Sequence, residues 1–308
     1  HHYADPMLQD LIDMLACPHC GGELRENSGA LVCSRGHTSN IARQGYVSLL
    51  GRDAGTHTAD SMEMVAARER FLAAGHFQPI ADGIIEALSD LVVDGSVVDI
   101  GSGPGWYLAR VLEAMPHRSG LALDNSKFAA RKAAKCHPRA GAVVADIWDE
   151  LPVMTGSAAA AINVFSPRNG IEIHRILATG GRLVVVTPGP DHLQELIGPF
   201  GMISVDSSKQ ERLGKSLGEA FEMEELPDAA VIQWQMELDR EAVRDLVSMG
   251  PSAGRLGQEE LDAAIAGLEG TTPVTASVRV ISIPADAPEF EFGEPDGLEE
   301  YERGPDEG

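Results

Sequence analysis

Basic side chains are scarce in this 308-residue chain. Its 24 lysines and arginines face 47 aspartates and glutamates, a net charge of −23. Nucleic-acid binders ordinarily carry a basic footprint, so composition alone argues against a polyanion partner. Long apolar runs are missing too. No stretch approaches the roughly 18 consecutive apolar residues that cross a bilayer, so no membrane partner is expected. The segment around Leu11 and Ile12 is broken by Asp10 and Asp13 and does not read as a signal peptide. Residues 1–6, before Met7, read as an expression-tag remnant. No internal repeat is visible. The expectation is a soluble, cytoplasmic protein.

Hydrophobic residues make up 44% of the chain, enough for the core of one large domain or two ordinary ones. The acidity is uneven. Residues 285–308 hold ten acids against one base, Arg303, with proline and glycine among them, and read as a disordered tail. Residues 17–70 hold six acids and six arginines, which makes the N-terminal segment the least acidic part.

Strand-like runs at Val97–Ile100, Leu121–Leu123, Val143–Ala145, Ala158–Phe165 and Leu183–Thr187 alternate with helical stretches at Trp106–Ala114, Ser126–Lys135 and Ile171–Ala178. Such alternation predicts an α/β fold whose parallel sheet is covered on both faces. Val231–Leu238 and Ala276–Ile283 alternate like a half-buried antiparallel pair. The predicted organisation is a small Cys/His-bearing segment over 7–50, a linker with helices over 51–96, and the main α/β domain over 97–284.

Four ligand-type residues form two matched pairs. Cys17-Pro18-His19-Cys20 is followed by Cys33-Ser34-Arg35-Gly36-His37. C-x2-C and C-x3-H on tight turns suit a closed tetrahedral zinc site, structural because no ligand position stays open. A Cys-Pro-His-Cys stretch also occurs in thioredoxin-like oxidoreductases, where it opens a long helix. Here Gly21-Gly22 follows, and the second pair waits at Cys33. A segment this short needs its metal to fold. Cys136 stands alone and reads as an ordinary thiol.

The run Val97–Ile100 enters Gly101-Ser102-Gly103-Pro104-Gly105, a G-x-G-x-G loop rather than the dinucleotide G-x-G-x-x-G. Glycines let the backbone approach a ligand closely. Asp99 ends the first strand, Asp124 the second and Asp146 the third. Asp124 is placed to accept hydrogen bonds from ribose hydroxyls, and Asp146 from an adenine amino group. Acids at strand ends also cap helices, but this series in strand order points to S-adenosylmethionine rather than NAD. Asn163-Val164-Phe165-Ser166-Pro167-Arg168-Asn169 follows the fourth strand, where cofactor and substrate meet in such folds. Asn163 is expected to touch both. Phe165 is a candidate to stack on a base, against core packing as the alternative. Arg168 is a candidate to stabilise charge on a carbonyl oxygen. His192, in Thr187–Leu193, reads on its own as a solvated loop residue.

Together these residues resemble the bacterial 23S ribosomal RNA (guanine-N1) methyltransferases, particularly the branch with tylosin resistance. The matching stretches are Cys17–Cys20 with Cys33–His37, Gln44–Leu50, Met64–Arg68, Ala74–Pro79, Val98–Gly105, Asn163–Asn169 and Thr187–Leu193. The resemblance implies a small zinc domain on a Rossmann-like methyltransferase with its last strand antiparallel. It implies homodimers with an RNA cleft and a target in a 23S hairpin loop. It also implies cofactor contacts through Gly103, Pro104, Phe77 and His192, which revises the bland reading of His192. RNA recognition is then expected from Arg25, Arg35, Arg43, Arg52 and Arg68, with Arg70 nearby, although single arginines are mostly solvated surface charges. A methyltransferase for a small molecule or another RNA is the alternative; the zinc segment argues against it. A non-enzymatic binding module is a third reading, which the intact glycine loop opposes.

Overall fold

In the computed structural model of this protein, residues 6–51, 58–204, 207–250 and 256–286 are described. The strands are β1 (Leu24–Asn27), β2 (Ala30–Cys33), β3 (Thr38–Asn40), β4 (Tyr46–Ser48), β5 (Ser96–Ile100), β6 (Gly120–Asp124), β7 (Ala140–Val144), β8 (Ala158–Val164), β9 (Leu177–Pro188), β10 (Ala230–Leu238) and β11 (Thr272–Pro284). The helices are α1 (Pro6–Gln9), α2 (Met62–Ala73), α3 (Gln78–Ala87), α4 (Trp106–Ala114), α5 (Lys127–Ala133), α6 (Gly170–Ile176), α7 (Gln194–Phe200), α8 (Ser207–Ala220), α9 (Arg240–Ser248) and α10 (Gln258–Ala266). β1–β3 form a small antiparallel sheet. The others form one eight-stranded sheet in the order β10-β11-β9-β8-β5-β6-β7-β4. From β9 to β4 every neighbour is parallel, while β11 runs antiparallel to β9 and β10.

Every residue of β6, β7 and β8 is buried, as a sheet covered on both faces requires. Alternate side chains therefore enter two cores. Val97, Ala122 and Ile162 pack with α2, α3 and α4 on one face. Val98, Leu121, Val143 and Val185 pack on the other. There the cover includes Leu8, Leu11, Leu15, Leu24 and Leu31 from the N-terminal segment, each at most 5% exposed. Gly141 of β7 makes room for this contact: a Cβ there would stand 2.8 Å from Leu11 Cδ1. Burying a leucine is worth about 2 kcal/mol, so the segment is held to the sheet by packing as well as by chain connectivity.

The predicted boundaries shift accordingly. The segment predicted as a separate zinc domain shares a core with the catalytic sheet. Its β4 pairs in parallel with β7, Val47 opposite Val143, and becomes the eighth strand. The helix predicted to reach Ala178 stops at Ile176. β9 then starts at Leu177 opposite Ala158, but Arg182 already faces Ala160, so Ala178–Gly181 bulge out of register. The Gly180-Gly181 pair thus lies within the strand, with Gly180 at φ +75°. Of the tail predicted from residue 285, the first two residues are bonded to β9. Ala285 donates its N–H to the Gly181 carbonyl at 2.9 Å, and Asp286 Oδ2 accepts from the Gly180 N–H at 3.0 Å. Residues 287–308 lie outside the described residues, as does Arg52. Among the described residues no helix is long and apolar enough to cross a membrane.

Candidate active site and metal centre

Two tight turns place the metal ligands. Gly21 N–H bonds the Cys17 carbonyl at 2.8 Å, and Gly36 N–H bonds the Cys33 carbonyl at 2.9 Å. Gly21 and Gly36 take φ of +67° and +82°, which side-chain-bearing residues rarely adopt. The four ligand atoms of Cys17, Cys20, Cys33 and His37 lie within 4.8 Å of one another. Cys20 Sγ stands 3.7 Å from Cys33 Sγ. His37 Nδ1 is 3.5 Å from Cys17 Sγ and 3.4 Å from Cys33 Sγ. A tetrahedron with Zn–S near 2.3 Å and Zn–N near 2.0 Å has edges of about 3.8 and 3.5 Å, so the donor set fits zinc with His37 bound through Nδ1. Burial pushes the Cys17 thiol up. Burial acts the same way on Cys33, but backbone amides of His37 and Arg35 outweigh it and draw that thiol down to about 6. The zinc is structural, with four protein ligands and no open position.

The glycine loop lies at the carboxyl end of β5. Gly101, Gly103 and Gly105 all have positive φ. Two of them are also forced by packing. A Cβ on Gly101 would stand 1.8 Å from Ser166 Oγ, and one on Gly105 would stand 2.8 Å from Cys136 Sγ. Cys136 thus packs under the loop, where burial pushes its thiol up to about 12. Asp124 accepts the Gly103 N–H on Oδ2 and the Ser126 N–H on Oδ1, both at 2.8 Å, which fixes its carboxylate beside the loop. Burial raises its pKa. Asp99 is buried, and its Oδ2 has no hydrogen-bond partner. Desolvation first, then the Asp124 charge, push it up to about 8. Asp146 is buried at the end of β7 and accepts the Trp148 N–H at 3.0 Å. It borders a hollow whose other wall includes Pro18 and His19 from the first metal knuckle. A glycine cradle with an unpartnered polar atom beneath it and acids at three successive strand ends suits S-adenosylmethionine.

Across the loop, Asn163 is fully buried. Its Nδ2 bonds the carbonyls of Ile100 and Pro167, both at 3.0 Å. Carbonyls only accept, so this amide's orientation is fixed, and its Oδ1 remains without a partner. Asn163 therefore braces the loop that carries Phe165. Phe165 sits at φ +52°, a conformation bulky residues avoid, and is 39% exposed. Core packing is thus not its role. Its ring centroid lies 6.2 Å from Phe77 and 5.4 Å from His192. Phe77 is buried between Phe71, Trp234 and His192. His192 Nδ1 accepts the Ser277 N–H at 3.2 Å. An amide can only donate, so His192 carries its proton on Nε2. Burial holds its pKa down near 4 and keeps the ring neutral. His192 is thereby a donor at this wall and not a base. Arg168 is half-buried with its Nε unpartnered, and desolvation lowers its pKa to about 10.

The predicted arginines divide. Arg25, Arg35 and Arg43 are exposed on the zinc segment. Arg68 lies instead against the glycine loop, with Nη1 bonded to Asp60 Oδ2 at 2.5 Å and Nη2 to the Met249 carbonyl at 2.6 Å. It lies on the same face of α2 as the buried Val65, Phe71 and Leu72, which turns it inward. Arg70 instead ties α2 to α9 through a two-point pair with Asp245.

A parallel sheet with this strand order and a cofactor loop after its first core strand defines an S-adenosylmethionine-dependent methyltransferase. Residues 15–52 match the zinc-ribbon family described as RlmA, N-terminal. The chain is 44% identical to the 23S rRNA (guanine(748)-N(1))-methyltransferase of Streptomyces fradiae, over 88% of this chain and 97% of that one. It is 43% identical to a protein of Micromonospora griseorubida provisionally named as a 23S rRNA (guanine-N1)-methyltransferase, over 89% and 98%. A Bacillus subtilis protein with the same provisional name is 30% identical over 78% and 86%. The chain belongs to the 23S rRNA (guanine-N1)-methyltransferase family.

Proposed function

We propose that this protein transfers a methyl group from S-adenosylmethionine to N1 of a guanine in a hairpin loop of 23S ribosomal RNA. The observation that carries the reading is the exposed, strained Phe165 ring held beside the cofactor loop, with Arg168, whose Nε has no hydrogen-bond partner among the described residues, three residues on. The cofactor supplies an already activated methyl carbon, so the protein's work is positioning and water exclusion. Guanine N1 lies on the Watson–Crick edge and must be unpaired to react. Phe165 offers a stacking face for the guanine. Arg168 stabilises the negative charge that develops on O6 as N1 loses its proton. Asn163 holds the Pro167 carbonyl and so fixes the loop between them, while its free Oδ1 can accept an N–H. The aromatic wall of Phe77, Phe165 and His192 keeps water away. The N1 proton passes to water on the solvent-exposed side of Phe165, since His192 Nδ1 is occupied and its Nε2 is already protonated.

RNA recognition falls to the zinc segment, where Arg25, Arg35 and Arg43 project, with Arg52 adjoining it in sequence. The chain works as a homodimer in the cytoplasm, and its branch of the family points to macrolide resistance of the tylosin type. The test uses labelled S-adenosylmethionine and naked large-subunit RNA, followed by mapping of reverse-transcription stops, because N1 methylation halts the polymerase. Phe165→Ala should lower turnover on RNA about 10- to 100-fold, the worth of one base–aromatic stack. Absence of both label and stop with the wild-type protein refutes the reading. Arg35→Glu with Arg43→Glu should weaken RNA binding and spare cofactor affinity.

A further inference from the structure

Arg68 is a cation lying against the glycine loop that the reaction has not used. A Cβ on Gly103 would stand 3.3 Å from both Arg68 Cδ and Arg68 Nη1, so the side chain occupies the face from which a ligand must approach this glycine. Its guanidinium spends one N–H on Asp60 and one on the Met249 carbonyl. Three donors remain without a partner among the described residues. Asp60 is itself anchored, its carbonyl accepting Ser126 Oγ–H at 2.8 Å beside the Asp124 carboxylate. Arg68 and Asp60 are both about one-quarter exposed, so their pair is open to exchange with a ligand. The two carboxylates next to each other, Asp60 and Asp124, also repel.

S-adenosylmethionine has one anionic group, the carboxylate of its amino-acid part. In this site Asp124 and Asp146 are acceptors, suited to hydroxyl and amino groups, and a carboxylate would be repelled by both. Arg68 is the cation at the loop. We propose that Arg68 binds the cofactor's carboxylate, and that the Asp60 carboxylate occupies the same guanidinium until the cofactor displaces it. Asp60 is thus an internal stand-in, and cofactor affinity reflects a competition between two carboxylates for one arginine. The inference rests on the cofactor reading above.

The test compares two ligands by calorimetry on the full chain. S-adenosylhomocysteine carries the carboxylate; 5′-methylthioadenosine keeps the adenosine and sulfur but lacks the amino-acid part. Arg68→Gln should weaken S-adenosylhomocysteine about 10- to 100-fold, the worth of a charge-assisted hydrogen bond, and leave methylthioadenosine within about threefold. Asp60→Asn should tighten S-adenosylhomocysteine several-fold, again without moving methylthioadenosine. Equal weakening of both ligands by Arg68→Gln, with an unchanged melting temperature, overturns the proposal. So does a loss of S-adenosylhomocysteine affinity in Asp60→Asn. If Arg68→Gln fails to fold, the Asp60→Asn arm still decides. Failure of the wild-type chain to bind either ligand strikes the cofactor reading itself, a different outcome from either.

Discussion

Replacing Gly101 with alanine should disturb two loops at once. Gly101 sits at φ +75°, where an L side chain costs about 1–2 kcal/mol. The added Cβ would also stand 1.8 Å from Ser166 Oγ and 2.5 Å from Ser166 Cβ. Ser166 is buried and its neighbours are fixed: Phe165 by the Val186 carbonyl, Pro167 by Asn163. Overpacking of a site that cannot yield costs about 1–3 kcal/mol. The expected loss for Gly101→Ala is therefore about 2–5 kcal/mol. The backbone part and the clash part separate in a double-mutant cycle with Ser166→Gly, which removes the colliding atoms. The clash part should appear as a coupling energy of about 1–3 kcal/mol, and the backbone part should persist in the double variant. Urea denaturation followed by tryptophan fluorescence gives the four free energies. A coupling near zero would refute the claim that the cofactor loop and the Phe165 loop press on each other.

Three further outcomes follow from the same structure. Chelation of zinc, or Cys33→Ser, should lower the stability of the whole chain by several kcal/mol in one cooperative step; a melting curve in which only a small separate transition moves would contradict the shared core. Asp99 is held near 8, above its ordinary value, so it stabilises the fold most below about pH 4 and loses that contribution as pH rises through 8. Asp99→Asn mimics the protonated acid and should flatten the fall in stability between pH 4 and 8; a variant as steep as the wild type would rule out this carboxyl. His192 runs the other way. Its folded pKa near 4 lies below the ordinary 6.5, so its contribution, about 1–3 kcal/mol, is present above pH 6.5 and lost as pH falls towards 4. Denaturation of His192→Gln at several pH values should show a shallower decline over that window, and an unchanged slope would reject the buried neutral ring.

Sequence spacing made the metal ligands and the glycine loop legible, because both depend on short-range turns with glycines at positive φ. The core strands were legible for a related reason: β5 to β8 are almost wholly buried on both faces, so each reads as a largely apolar run. What sequence did not reveal depends on partners far along the chain. Tyr46–Ser48 is too short to announce a strand, and its partner β7 lies nearly a hundred residues away. Arg68 looked like its neighbours Arg52 and Arg70, and only the packing of α2 against α9, α5 and α4 turns it towards the cofactor loop. The tautomer of His192 is set by the Ser277 amide, 85 residues on, and its neutral state by burial. The bulge at Ala178–Gly181 hid the true start of β9, since a Gly-Gly pair more often ends a helix than interrupts a strand. The strain at Phe165 has no sequence signal at all.

The edge strand β4 orders events during synthesis. The ribbon emerges before the catalytic sheet and can bind zinc on its own turns as soon as His37 is exposed. Its leucines and β4, however, have nothing to dock on until β7 has been made. For the time needed to translate that interval, an apolar face of the ribbon waits in solution, the kind of transiently exposed surface that invites aggregation. Metal capture before docking shortens the list of wrong partners that face can find. The same arrangement means that a truncation meant to leave a free-standing methyltransferase would uncover the edge of β7 and one side of the catalytic sheet.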